Sequence, residues 1–238
     1  MSSKLLALDT STETLSVAVT DGRQVWRHDG PGGAQASATL IPVILSLLDQ
    51  AGLRLAVLDA IAFGSGPGSF TGLRTACSVA QGLGFGAGRP LLPVDSLLAV
   101  AEEARFQTGA ERVVAALDAR MDEVYVADFA YASGAWREEA GYRLVRPEGL
   151  AVPPGWMLAG NAAAVYGDRV PPHGVAVPAL PTATAMLRLA PALLAAGLAV
   201  PAAEALPRYI RDKVAKTTEE RAAEKAAASV PPAVPPAA

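Results

Sequence analysis

Histidine and cysteine are scarce in this chain, and their scarcity excludes several kinds of chemistry. Two histidines, His28 and His173, and one cysteine, Cys77, occur among 238 residues. No His-x-x-x-His or glutamate-paired zinc motif is present, so a metalloprotease is excluded. A single cysteine allows no internal disulfide, which is typical of a protein from a reducing cytoplasm. Cys77 lies among small apolar residues of a predicted helix, where we expect it to pack rather than to act as a nucleophile.

Charged residues are also few, and the two signs nearly balance. They make up 18% of the sequence, the formal net charge is −3 and the pI is near 5.5. A protein that binds nucleic acid on its own normally carries a basic surface, so we do not expect this chain to bind RNA by itself. No apolar segment is long enough for a membrane span, and no targeting segment is recognised. The sequence predicts a soluble, cytoplasmic protein.

A glycine-rich turn between a predicted strand at 59–63 and a predicted helix at 71–85 is the most informative segment. It runs Gly64-Ser65-Gly66-Pro67-Gly68-Ser69-Phe70-Thr71-Gly72-Leu73-Arg74. Such a turn exposes backbone N–H groups that suit an anion or a close partner. The lysine of a P-loop and the third glycine of a dinucleotide-binding turn are both missing, and Pro67 removes a donor. A dinucleotide-binding oxidoreductase is therefore disfavoured.

A strand pattern occurs twice along the chain. Ala7-Leu8-Asp9 and Ala116-Leu117-Asp118 each end a strand in an aspartate, which a polar turn and an alternating strand follow. This repeat predicts two related α/β lobes across a cleft, at residues 1–108 and 109–215, the second smaller and irregular. The alternative is that any strand–aspartate–turn hairpin looks like this. Residues 216–238 are rich in alanine and proline, which predicts a disordered tail.

Two predicted helices of the first lobe carry excess apolar or small surface. Helix 37–51 is apolar on nearly every side, and helix 71–85 has a small residue at every fourth position. We predict a protein–protein interface there; a simply buried helical hairpin is the alternative. The predicted interface residues are Leu40, Ile44, Leu47, Leu48, Gly72, Arg74, Ala76, Ala80 and Gly84. Ala76→Arg or Ala80→Arg would then abolish complex formation while the monomer stays folded.

The turn Asp9-Thr10-Ser11-Thr12 is a second candidate site. Short hydroxyl side chains and backbone amides in a tight turn can hold a phosphate, and a neighbouring aspartate can hold magnesium. Gly66 and Asp118 are further candidates for contact with a nucleotide. The alternative is that the hydroxyl groups satisfy only their own turn, and that Asp118 belongs to a salt-bridged loop.

Four motifs in the same order resemble the TsaB (YeaZ) family. They are Leu6-Ala7-Leu8-Asp9-Thr10-Ser11-Thr12, Gly66-Pro67-Gly68-Ser69-Phe70-Thr71-Gly72-Leu73-Arg74, Asp118-Ala119-Arg120-Met121-Asp122-Glu123-Val124-Tyr125 and Pro207-Arg208-Tyr209-Ile210-Arg211. The resemblance runs from about residue 4 to residue 214, and the glycine motif is its most specific part. It implies an actin/Hsp70/sugar-kinase-like α/β fold of two duplicated lobes. Many members have a histidine just before the first helix, where this chain has Ala36.

The resemblance also implies a function. TsaB proteins look like a shrunken paralogue of the enzyme TsaD. They are its non-catalytic partner and, with the ATPase TsaE, support threonylcarbamoylation of the adenosine beside the tRNA anticodon. By this resemblance, helices 37–51 and 71–85 form the TsaD interface, or a homodimer when TsaD is absent.

The same resemblance implies no catalytic residue, metal or cofactor of the chain's own. ATP and magnesium would serve the assembled complex, and tRNA would be met only through that complex. The alternative from the residues is a free-standing kinase or ATPase that uses Asp9 and Asp118 with magnesium. ATP turnover by the isolated chain, lost in Asp9→Asn, would distinguish that enzyme from an accessory subunit.

Overall fold

Two five-stranded mixed sheets form the framework of the computed structural model, which describes residues 3–172 and 174–211. The predicted tail at 216–238 lies outside the described residues. The strands of the first sheet are β1 (Leu5–Asp9), β2 (Thr14–Thr20), β3 (Val25–Pro31), β4 (Ala60–Gly66) and β5 (Leu91–Asp95). Those of the second are β6 (Arg112–Arg120), β7 (Glu123–Ala132), β8 (Ala135–Val145), β9 (Met157–Gly160) and β10 (Ala176–Val177).

The second sheet repeats the topology of the first. The orders are β3-β2-β1-β4-β5 and β8-β7-β6-β9-β10. In each sheet the central strand pairs antiparallel with the strand that follows it and parallel with the fourth strand. The fifth strand then adds in parallel at one edge. The two duplicated α/β lobes predicted from the repeated strand–aspartate pattern are confirmed.

Within the described residues, five α-helices cover and separate the sheets. They are α1 (Ala36–Gln50), α2 (Phe70–Ala87), α3 (Ser96–Thr108), α4 (Ala162–Tyr166) and α5 (Ala183–Ala195). Because side chains alternate along a strand, Leu6 and Leu8 of β1 face α1 and α2, whereas Leu5 and Ala7 face α5. Strands β1 and β4 are therefore buried on both faces, which accounts for their continuous apolar runs, whereas the edge strand β3 is largely exposed.

The helices between the two sheets do not follow the predicted lobes in sequence. Helix α5 belongs to the half of the chain assigned to the second lobe, yet it packs on the first sheet. Helix α3 belongs to the first half, and its Leu97, Val100 and Ala104 pack with β6 and β7 of the second sheet. Helix α3 also packs on the first sheet through Ala99, so it lies between the two sheets.

Strand β8 was missed by the sequence analysis, which treated the second half as irregular. Its outward side chains include Arg137, Glu138 and Glu139, so it lacks the apolar alternation of a half-buried strand. It is held instead by pairing with β7 and lies at the edge of its sheet, where charged residues are common. Within the described residues, no helix is both long and apolar enough to cross a bilayer.

The turn between β4 and α2 packs directly on the turn between β1 and β2. Ser69 N donates to the carbonyl of Ser11 at 2.7 Å, and Thr10 Oγ1 donates to the carbonyl of Gly72 at 2.7 Å. A Cβ atom at Gly64 would overlap the Asp9 carboxylate, and one at Gly72 would overlap the Thr10 carbonyl oxygen. These glycines are needed because protein atoms occupy the space that a side chain would fill.

A matched pair of substitutions on α2 tests this packing. Gly72→Ala should lower the free energy of unfolding by roughly 3 kcal/mol, because the rigid backbone at Thr10 must move. Gly82 is exposed, and its Cβ would meet open space. Gly82→Ala should therefore raise stability by about 0.5 kcal/mol or more, since alanine favours the helix.

Urea unfolding of both variants and of the wild type is the measurement. A Gly72→Ala protein that unfolds at the same urea concentration as Gly82→Ala would contradict the close contact between the two turns.

Candidate functional site

A cavity of about 350 Å³ lies between the two lobes. The β1–β2 turn, the glycine turn, the β6–β7 turn and the segment 208–211 form its walls. Its polar lining comprises Ser11, Thr12, Glu13, Ser69, Asp118, Arg120, Asn161, Arg208 and Arg211, and its aromatic lining comprises Phe70, Tyr125 and Tyr209. The cleft predicted between the two lobes therefore exists and is lined from both of them.

Asp9 lies beneath this cavity and does not line it. The residue is fully buried, and its Oδ1 accepts hydrogen bonds from Ser11 N at 2.9 Å and Ser11 Oγ at 2.8 Å. Its Oδ2 has no hydrogen-bond partner among the described residues. Burial raises the pKa of Asp9 from 3.8 to about 7, although the two bonds from Ser11 oppose the rise. A carboxyl group in this position organises its own turn.

Asp118 does line the cavity, and its carboxylate is already engaged. Its Oδ1 accepts from the backbone N–H of Arg120 at 2.8 Å and from the Tyr166 hydroxyl at 2.7 Å, and Oδ2 lies 3.2 Å from Arg120 Nη1. Burial is the main cause that raises the pKa of Tyr166 to about 12, and its hydrogen bond to Asp118 is the second. The hydroxyl therefore stays protonated and donates. The ion pair expected from the salt-bridged alternative, between Asp118 and Arg120, is present in the structure.

The turn that holds Asp118 is strained and reaches across the cleft. Arg120, Met121 and Asp122 all have positive φ angles, of 61°, 56° and 58°. Arg120 forms an ion pair with Glu13 in the corresponding turn of the first lobe. The two equivalent turns of the duplicated lobes are thus joined directly at the mouth of the cavity.

These residues do not fit a magnesium site built on Asp9 and Asp118. Magnesium requires carboxylate oxygens that are open to the metal and its water ligands. One carboxylate is buried against Gly64, and the other already accepts from Tyr166 and Arg120. Among residues 3–172 and 174–211, no group of three or more histidine, cysteine, aspartate or glutamate side chains could hold a metal ion.

The six candidate nucleotide contacts separate into two groups. Ser11, Thr12 and Asp118 line the cavity. Asp9, Thr10 and Gly66 lie behind its wall: Thr10 is 1% exposed and bonded to α2, and the space beside Gly66 is occupied by the Arg208 carbonyl. Nucleotide contact therefore remains a proposal for the first three residues alone.

The predicted interface residues require a correction at the level of side chains. All but Arg74 are buried in the chain's own core, namely Leu40, Ile44, Leu47, Leu48, Gly72, Ala76, Ala80 and Gly84. The small-residue ridge lets α2 approach the first sheet closely, as the buried-hairpin alternative stated. Ala76 and Ala80 are 0% exposed, so an arginine at either position would disrupt the fold and could not report on an interface.

The opposite sides of the same two helices carry the exposed apolar surface. On α1, Ile41 and Leu45 are 45% and 52% exposed and lie one turn apart. On α2, Phe85 is 64% exposed, and Ser78 and Gly82 keep the neighbouring surface flat. Arg74 lies on this side as well. We call these six residues the helical face.

The contribution of segment 208–211 to the cavity was missed by the sequence analysis. Four consecutive residues of this segment line the cavity, although they follow the last helix by more than ten residues. The signal available in the sequence was the motif Pro207-Arg208-Tyr209-Ile210-Arg211, whose spacing implies no particular chemistry. Only the folded chain brings it against the glycine turn.

Known proteins similar to this chain were found among families, individual proteins and solved structures. The TsaD family profile, described as tRNA N6-adenosine threonylcarbamoyltransferase, matches residues 32–235. The tRNA threonylcarbamoyladenosine biosynthesis protein TsaB of Escherichia coli is 34% identical over 222 residues, which cover 89% of this chain and 96% of that protein. TsaB of Haemophilus influenzae is 47% identical over 121 residues, 51% of each chain. The structure of YeaZ from Pseudomonas aeruginosa superposes with a TM-score of 0.81 at 44% identity, over 87% of this chain and 100% of that one.

Two duplicated α/β lobes around a cleft define the actin/Hsp70/sugar-kinase-like class of proteins, and the match to TsaD and the likeness to YeaZ agree with that class. Within it, this chain belongs to the TsaB (YeaZ) family. The resemblance found in the four sequence motifs is confirmed.

The buried carboxyl of Asp9 generates a prediction about pH. Because its pKa is near 7 in the folded chain and near 3.8 when unfolded, the folded state binds more protons between these values, and stability falls as pH rises through them. Asp9→Asn removes this dependence. Relative to the wild type, the variant should gain about 2 to 3 kcal/mol in unfolding free energy between pH 5 and pH 8.

Urea unfolding at both pH values is the measurement, with Asp49→Asn on the exposed side of α1 as the control. Burial also raises the pKa of Asp95, to about 6. Asp95 is present in the wild type and in both variants, so its contribution cancels when their unfolding free energies are subtracted. A pH-independent difference between Asp9→Asn and the wild type would show that Asp9 is not protonated in the folded chain.

Proposed function

We propose that this protein is the accessory subunit that partners a TsaD-type enzyme and, with a TsaE-type ATPase, supports threonylcarbamoyl transfer to the tRNA adenosine beside the anticodon. The exposed apolar helical face is the observation that carries this proposal. Relatives named as tRNA threonylcarbamoyladenosine biosynthesis proteins support the pathway. The match to a TsaD profile supports a partner with a related fold.

The chemistry of the helical face suits a protein partner. The face exposes about half of its isoleucine, leucine and phenylalanine side chains. A partner that covers them is stabilised by roughly 25 cal/mol for each Å² of apolar surface removed from water. Glycine and serine on α2 allow a second helix to approach closely. The face thus resembles the apolar centre of an interface more than an ordinary protein surface.

The cavity residues support an accessory role over a catalytic one. Asp9 is buried under the cleft, and Asp118 is occupied by Tyr166 and Arg120. A free-standing ATPase or kinase would need one of these carboxylates to face a metal-bound nucleotide. The alternative is tested directly: the isolated chain should hydrolyse no ATP above background, and turnover that disappears in Asp9→Asn would overturn the accessory role.

Reconstitution is the decisive experiment for the proposal. Purified TsaD and TsaE are supplied with threonylcarbamoyl-adenylate, ATP and tRNA, with or without this chain, and modified adenosine is quantified. Formation of the modified base should depend on this chain. Equal product in its absence would remove the proposed function.

Leu45→Arg should weaken binding to TsaD by at least about 30-fold, because it places a charge at the apolar centre of the helical face. Leu198→Arg is the matched control, since Leu198 is 51% exposed, nearly the same as Leu45, and follows α5 instead of lying on α1 or α2. Both substitutions are at exposed positions and should leave the unfolding midpoint unchanged.

Calorimetric titration of each variant with TsaD is the measurement. Wild-type affinity for Leu45→Arg, or an equal loss for Leu198→Arg, would contradict the assignment of the helical face. A homodimer formed through the same face would also be lost in Leu45→Arg, which sedimentation of the isolated chain would show.

A further inference from the structure

Residues 205–211 cross the cleft and contact both lobes, and we call this segment the latch. One end is held by the first lobe. The carbonyl of Ala205 accepts from Gln81 Nε2 at 3.0 Å and Cys77 Sγ at 3.5 Å, both on α2. The backbone N–H of Arg208 donates to the carbonyl of Ser65, near the end of β4, at 2.6 Å.

The other end of the latch is held by the second lobe. The Arg211 guanidinium forms an ion pair with Glu123 of β7 and donates to the carbonyl of Arg120 at 3.3 Å. Its side chain is 12% exposed, so this pair is better shielded from solvent than a typical surface pair. Ile210 packs against the hydrophobic cluster of the second sheet. A single short segment therefore ties the two lobes together.

The middle of the latch has a contact with the helical face. The Tyr209 ring packs against the Phe70 ring, with the centroids 5.4 Å apart and the planes tilted by 35°, and the Tyr209 hydroxyl accepts from Arg74 Nε at 3.1 Å. The Arg74 guanidinium lies 3.7 Å from the centre of the Phe70 ring. Tyr209 is 47% exposed, and Arg74 is exposed on α2. Phe70 and Tyr209 also line the cavity, whereas Arg74 is not part of its lining and belongs to the helical face.

We infer that the latch holds the interlobe cleft closed, and that the stability of this closed state depends on Arg74 of the helical face. The chain connects the Arg74–Tyr209 bond to the Arg211–Glu123 pair over two residues, so a change at one end alters the position of the other. Any molecule that engages Arg74 acts on this connection. That the molecule is a TsaD-type partner rests on the proposed function; the mechanical link does not.

The contacts of the latch with the two lobes are expected to set the equilibrium between a closed and an open cleft. If the cleft opens with the latch still held by the first lobe, its contacts with the second lobe break: the Arg211–Glu123 pair, the packing of Ile210 and the contact of the Arg208 guanidinium with the Tyr142 ring. Removing a contact that exists only in the closed state raises the open population by the factor that the contact contributes. For a charged hydrogen-bonded pair of this kind the factor is about tenfold.

The experiment measures the distance between the lobes in the isolated chain. Spin labels on Gln35→Cys, before α1, and Asp168→Cys, after α4, are both at exposed positions on different lobes. Cys77 is buried and stays in place because it contacts the latch. Pulsed electron–electron double resonance then gives the fraction of molecules in which the two labels are at the longer distance.

Arg211→Ala should increase the longer-distance fraction about tenfold. Arg74→Ala should increase it by about threefold, although the contacts of Arg74 described above are with Tyr209 and Phe70 and not with the second sheet. Tyr209→Phe removes the same hydrogen bond and should have a similar effect, and combining it with Arg74→Ala should add nothing further.

Two matched controls accompany these variants. Arg143→Ala breaks an arginine–carboxylate pair with Asp128 that lies within the second sheet, and Ser78→Ala changes an exposed residue one turn from Arg74. Both should leave the distances as in the wild type. Circular dichroism confirms that each variant is folded.

Three outcomes would overturn the inference. They are an unchanged distance distribution in Arg211→Ala, an effect of Arg143→Ala as large as that of Arg211→Ala, and no response to Arg74→Ala or Tyr209→Phe. Because no partner is present, the result is independent of the proposed function. A chain that shows the predicted opening but fails to bind TsaD would retain the latch and lose only the proposed partner.

Discussion

The contact between two turns at the centre of the first lobe determines the arrangement of everything around it. The β1–β2 turn and the glycine turn lie so close that Gly64 leaves room only for the Asp9 carboxylate, and Gly72 only for the Thr10 carbonyl. This contact sets the start of α2 and thereby the direction of its two sides. One side is the buried small-residue ridge, and the other belongs to the helical face.

The same contact explains why the glycine turn, which resembles a nucleotide-binding turn in sequence, leaves few backbone groups available to a ligand. A glycine turn before a helix normally leaves backbone N–H groups available to an anion. Here Ser69 caps α2 with its side chain and bonds to Ser11 with its backbone, while the Arg208 carbonyl covers Gly66. Protein atoms thus occupy part of the turn that a phosphate would need.

Closure of the cleft depends on contacts of unequal depth. Outside the cavity lining, buried Glu102 accepts hydrogen bonds from Arg105, Arg188 and Trp136, which joins α3, α5 and β8. At its mouth, the turn-to-turn ion pair of Arg120 and the latch are more exposed. Exposed ion pairs are weak, and buried ones cost more to break. We therefore expect the cleft to open at the mouth of the cavity, while the buried contacts of Glu102 stay in place.

The sequence by itself determined the two equivalent strand–aspartate hairpins, because apolar periodicity is a local property of the chain, and the resemblance of its four motifs to a known family indicated the class of fold. It did not decide which side of α2 is exposed, since small residues on a helix suit a sheet and a partner equally well. Nor did it reveal the charged edge strand β8 or the latch. Tertiary structure decided these, because burial and long-range contacts, such as that of Arg211 with Glu123, exist only once distant segments meet.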